Sequence, residues 1–132
     1  MSRMLKVVVV DDSAYVRKTV KQMLTRSPFI DVVGTAQDGQ EALEVVEQLN
    51  PDVVVLDLNM PEMDGVEFLR KQMPRRRVPV VVLSSSSASG EQVKAALDAG
   101  AVDFVQKPTA VASDKMLEIT SDLIEKVKTA AG

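Results

Sequence analysis

Two kinds of apolar pattern alternate along this chain. Short valine-rich blocks, too continuous for a half-exposed face, occur near 5–10, 30–36, 53–57, 78–83 and 101–105. Between them lie longer stretches whose apolar residues recur every three or four positions. Continuous β-branched blocks of this length read as strands buried on both faces, and the three-to-four spacing reads as amphipathic helix.

The first helix is predicted at roughly 14–26, with Val16, Val20, Met23 and Leu24 on one face, Asp12 or Ser13 as its cap and Ser27-Pro28 closing it. Asp38 with Glu41 resembles a capping box for a second helix, which would bury Ala42, Val45, Val46 and Leu49 and end before Pro51. A third, about 65–73, turns Val66, Leu69 and Met73 inward and is stopped by Pro74. Ser89 and Gln92 head a fourth, with Val93, Ala96 and Leu97 as its apolar residues and Gly100 as its stop. The last helix falls within 112–131 and offers Met116, Leu123, Ile124 and Val127 for burial. Strand and helix alternate with short connections, which predicts an α/β domain built on a parallel sheet. Right-handed crossovers place helices on both faces.

At 132 residues the chain reads as one domain. A net charge of -3 with 27% charged residues excludes the basic excess of a nucleic-acid binder. The one dense basic run, Arg75 to Arg77, reads as a solvated loop, with anion steering or partner docking as the alternative. Cysteine is absent, which removes disulfides and thiolate metal sites and suits a reducing cytoplasm. Histidine is absent too, so a Ser-His-Asp hydrolase, a histidine-ligated zinc site and a phosphohistidine carrier are excluded within this chain. The apolar run after Arg3 and Lys6 stops at Asp11-Asp12, too early for a signal peptide, and no run reaches membrane-spanning length.

The predicted strands deliver chemistry to a single end of the sheet: Asp11-Asp12 after the first, Asp57 on the third, Ser84 after the fourth and Lys107 after the fifth. Ligands collect beyond the carboxyl ends of parallel strands. Carboxylates clustered there repel; two unit charges ~5 Å apart at an effective dielectric near 20 interact by roughly 3 kcal/mol. A divalent cation with hard oxygen ligands relieves this, and Mg²⁺, or Mn²⁺ in its place, fits. Asp12, Asp57 and the backbone carbonyl of Asn59 would hold it, with Asp11 reaching it directly or through water. Asp57 would attack phosphorus in line, while the Ser84 hydroxyl and the Lys107 ammonium bind the remaining phosphoryl oxygens. Taken singly, these residues read as turn formers, a loop serine and a solvated lysine. Their combination points to phosphoryl transfer onto a carboxylate.

Asp11-Asp12, the segment 57–65 (DLNMPEMDG), Ser84 and Phe104-x-x-Lys107-Pro108 together resemble the receiver domain of two-component response regulators. The resemblance implies a flavodoxin-like, doubly wound sheet of order 2-1-3-4-5. It also implies that Asp57 accepts a phosphoryl group from a phosphohistidine on a partner histidine kinase, with Mg²⁺ required. Ser84 would be the switch hydroxyl, and Phe104 the aromatic that turns inward after it; Phe104 lacks the hydroxyl of the tyrosine often found there. A narrower resemblance, carried by 10–15, 82–85, 100–105 and 124–131, is to the N-terminal receiver of the chemotaxis protein-glutamate methylesterases. It implies a chemotaxis-type kinase, a C-terminal output domain and a cytoplasmic setting, with no esterase activity in this chain. Residues 1–132 would then be one receiver, 112–132 forming the last helix and the start of an interdomain linker. A freestanding receiver, a receiver of another output class, and a weak dimer through the fourth helix, fifth strand and last helix stay open. An aspartate-nucleophile phosphatase of the haloacid dehalogenase type is less favoured, because Asn59 stands where that class places a second aspartate. A flavin or nucleotide binder is opposed by Asp11-Asp12, which would repel phosphate after the first strand.

Overall fold

The computed structural model describes residues 4–60, 63–84, 90–108 and 113–132. Its elements run β1 (Leu5–Val10), α1 (Ala14–Leu24), β2 (Ile30–Ala36), α2 (Gly39–Leu49), β3 (Val53–Asp57), α3 (Gly65–Arg75), β4 (Val80–Ser84), α4 (Gly90–Asp98), β5 (Asp103–Gln106) and α5 (Ser113–Ala130). All strand pairs are parallel, in the order β2-β1-β3-β4-β5.

Alternation along the strands sorts the core into two layers. Val8, Val10, Val54, Leu56, Val80 and Val82 face the side covered by α2, α3 and α4, where Leu43, Val46, Phe68, Leu69 and Ala96 meet them. Val7, Val9, Val53, Val55, Val81, Leu83 and Val105 face α1 and α5 and pack on Val16, Val20, Leu24, Ile119, Leu123 and Val127. The register extends the second stripe beyond the hydrophobic layer. Val10 pairs with Leu56, so the next residues, Asp11 and Asp57, stand level; Asp57 in turn pairs with Leu83, and Leu83 with Val105.

Helix starts follow the local chemistry. Ser13 Oγ accepts the Val16 N–H, Asp38 Oδ1 the Glu41 N–H and Asp64 Oδ1 the Glu67 N–H, each satisfying a donor that has no partner within its helix. Asn50 closes α2 in the left-handed region at φ 48, which asparagine tolerates. The expected Ser89 cap of α4 lies outside the described residues.

The structure corrects several boundaries. Pro74 does not end α3, which continues to Arg75. So near the C-terminus the proline forfeits little of the ladder, and the end is closed by Arg76 N–H donating to Gln72 O and Gln72 Nε2 donating to Arg76 O. Strand β4 begins at Val80 because Pro79 has no N–H to contribute, although its carbonyl accepts the Val54 N–H. Leu97, expected to face inward, is 39% exposed, and α4 buries only Ala96 fully. Leu43, Phe68 and Ile119 are core residues that the spacing argument passed over.

Candidate functional site

Asp11 follows β1 directly and is fully buried, and Asp57 ends β3 at 1% exposure. Each carboxylate spends one oxygen on its own turn: Asp11 Oδ1 accepts the Ser13 N–H at 2.9 Å, and Asp57 Oδ1 accepts the Asn59 N–H at 3.2 Å. Their Oδ2 atoms converge on one cation. Lys107 Nζ stands 3.3 Å from Asp11 Oδ2 and 3.1 Å from Asp57 Oδ2. Among the described residues neither Oδ2 has an aligned hydrogen-bond donor, and Lys107 meets them as a shared ion-pair partner. The Lys107 N–H donates to Ser84 O at 2.8 Å, which ties the ends of β4 and β5 together and aims the lysine stem.

Asp12 is exposed at the mouth. One oxygen from each of Asp11, Asp12 and Asp57 falls within 4.8 Å of the others. With all groups ionised, three negative charges face one positive charge. Burial raises the Asp11 carboxyl to about 6; the Asp57 charge adds to this, while the Ser13 amide and Lys107 oppose it. Asp57 is also raised, by burial first, against the pull of Lys107. Burial works against charge on Lys107, but Asp57 and Asp11 outweigh it and raise its pKa. Buried oxygen donors carrying excess negative charge beside open solvent suit a hard divalent cation.

A family model described as the response regulator receiver domain matches residues 7–120. The chain belongs to that family. Among relatives of this receiver is the protein-glutamate methylesterase/protein-glutamine glutaminase 5 of Myxococcus xanthus, 48% identical over 97% of this chain and 37% of the relative. Another, from Symbiobacterium thermophilum, is 50% identical over 99% of this chain and 36% of its own length. The chain thus spans about a third of the curated relatives it matches. The crystal structure of the response regulator domain of Thermotoga maritima CheB superposes with a TM-score of 0.87 at 38% identity, covering 98% of this chain and 97% of that one. The expected flavodoxin-like order 2-1-3-4-5 is therefore the observed one.

Beside the acid cluster the receiver opens a cleft of about 470 Å³ between the β3–α3 turn and α4, lined among others by Asp12, Asn59, Met60, Glu91 and Gln92. Asn59 reaches across it, its side-chain oxygen accepting from Gln92 Nε2 at 3.3 Å. Close packing under the site requires Gly65: a Cβ there would come within 2.7 Å of Asp57 O and 2.9 Å of Leu58 Cα. Ser84 ends β4, half-buried and opposite Gln106. The structure thus brings Asp11, Asp12, Asp57, Lys107, Asn59 and Ser84 to one rim of the sheet. Phe104 is set apart on β5, 44% exposed. Sequence reasoning missed Lys126, whose ammonium donates to Phe104 O at 2.8 Å. Its only advance signal was Asp122 four residues earlier, a spacing that brings helix side chains together.

Proposed function

We propose that this receiver is a phosphorylation-controlled switch, with Asp57 as the phosphoacceptor. The observation that carries the reading is the junction of buried Asp57 and Asp11 on one Lys107 ammonium beside exposed Asp12. A carboxylate oxygen of Asp57 attacks the phosphorus of a phosphohistidine on a sensor kinase. The P–N bond breaks, its electron pair stays on the imidazole, and an acyl phosphate forms on Asp57. Lys107 and the Ser84 hydroxyl hold phosphoryl oxygens, so the chain contributes mainly position and charge. Asp11, Asp12, Asp57 and the Asn59 carbonyl would hold Mg²⁺, or Mn²⁺ in its place. When bound, the metal supplies positive charge to the transferred group. Water later hydrolyses the acyl phosphate and returns the carboxylate.

The new dianionic group on Asp57 draws Ser84 and Lys107, and Phe104 turns inward; the β4–α4 connection, which belongs to the same switch in this reading, lies outside the described residues. The relatives' names support a protein-glutamate methylesterase as the output; its attachment C-terminally, beyond a linker that starts within 112–132, is part of the proposal. A chemotaxis-type kinase and a cytoplasmic setting belong to this reading. Among the described residues no helix is long and apolar enough to cross a membrane. The test is phosphotransfer: a labelled histidine kinase should lose its phosphoryl group to the wild-type chain and keep it when offered Asp57→Asn.

A further inference from the structure

Away from the acid crevice, several interactions gather on one ammonium at the edge of β5. Lys126 Nζ donates to Phe104 O at 2.8 Å, lies 3.3 Å from Asp122 Oδ2 and 3.7 Å from Asp103 Oδ1, and sits 5.3 Å from the centre of the Phe104 ring. Strand alternation turns Asp103 and Val105 toward α5 and Phe104 toward the opposite face. Lys126 therefore reaches from α5 round the strand edge to meet the ring. Asp103 completes the arrangement, its Oδ1 accepting the Phe104 N–H at 2.8 Å. Phe104 is thus held at its amide, its carbonyl and its ring while remaining 44% exposed.

An exposed aromatic gains by leaving water, so an outward position needs an opposing attraction. A cation close to the ring face supplies one, and it acts only while the ring is outside. The carbonyl hydrogen bond and the two carboxylates keep the ammonium in place. We propose that Lys126 latches Phe104 outward and thereby biases the receiver toward its unphosphorylated form. The inference rests on the reading of Phe104 as the moving aromatic. Lys126 is a positioning residue in this account, since it lies apart from the acid cluster and acts through Phe104.

The experiment titrates the full chain with beryllium fluoride at saturating Mg²⁺ and follows ring-labelled phenylalanine by NMR, using Phe104→Ala to assign the resonance. Lys126→Met keeps the stem and removes the charge. It should tighten beryllium fluoride binding about threefold and, before any is added, move the Phe104 resonance toward its bound position. Lys126→Arg, which retains charge and donor, should behave as wild type, and Lys126→Met in the Phe104→Ala background should add nothing. A Lys126→Met titration that superposes on wild type, or weakens, overturns the latch while leaving the switch standing. A wild-type ring that stays put on saturation overturns the moving-aromatic reading and the latch together.

Discussion

Lys107 Nζ lies 3.1 Å from Asp57 Oδ2 and is shared with Asp11, so the carboxylates at the ends of the first and third strands depend on one cation for what charge compensation they have. Removing that cation strands two carboxylates in a buried position. Lys107 is itself partly exposed, so Lys107→Met should destabilise the metal-free chain by about 1–3 kcal/mol near pH 7, the cost of leaving buried acceptors unsatisfied. The loss should shrink at pH 4–5, where the carboxyls protonate instead. Urea unfolding at both pH values measures this; an equal loss at both would show that the lysine acts through packing.

Asp11 sets a pH dependence of its own. Burial pushes its carboxyl up to about 6 from an ordinary 3.8, so the folded chain holds the extra proton between these values. Stability then falls as pH rises through this window, by something on the order of 3 kcal/mol at ~1.4 kcal/mol per unit shift. Asp11→Asn should remove the Asp11 share of that slope, leave the same-signed share of Asp57, and make the metal-free chain more stable than wild type at pH 7, with little gain at pH 4. Thermal unfolding across pH 4–7.5 without divalent ions reads the effect.

Asp12 offers the converse case. It is exposed, so Asp12→Asn should change metal-free stability by less than about 0.5 kcal/mol. A ligand that binds only the folded state stabilises by RT ln(1 + [L]/Kd). Mg²⁺ should therefore raise the wild-type melting temperature, and Asp12→Asn should need roughly tenfold more metal for the same rise. Calorimetric titration supplies the affinities directly.

Two glycines separate close packing from free space. Gly65→Ala drives a methyl toward the Asp57 carbonyl and the Leu58 backbone and should cost about 1–3 kcal/mol. Gly90→Ala meets none of the described residues within 4 Å at the start of α4 and should be neutral or stabilising by up to ~1 kcal/mol. Urea midpoints for the two variants should move in opposite directions or differ at least by the cost at Gly65.

Much of the fold was legible because buried parallel strands are written as unbroken valine blocks, and because Asp38 with Glu41 and Gly100 mark helix ends by local chemistry. Strand register then carried the site, for once β1, β3, β4 and β5 align, residues following their last apolar positions converge. What local pattern could not show depends on neighbours. Pro74 is tolerated because it falls where α3 has few bonds left to lose, and Leu97 is exposed because α4 lies over the sheet on Ala96. Lys126 was invisible for the same reason: its partners Asp103 and Phe104 belong to a strand some twenty residues earlier, and only tertiary packing brings the ammonium to the ring.

The most direct test of the phosphoacceptor is covalent. The chain is incubated with acetyl phosphate, with and without Mg²⁺, and analysed by intact-mass spectrometry followed by peptide mapping after borohydride trapping. The account predicts one phosphoryl group, located on Asp57, dependent on Mg²⁺ and missing in Asp57→Asn. Unchanged labelling in Asp57→Asn, or phosphorylation that proceeds equally well in chelator, would contradict it.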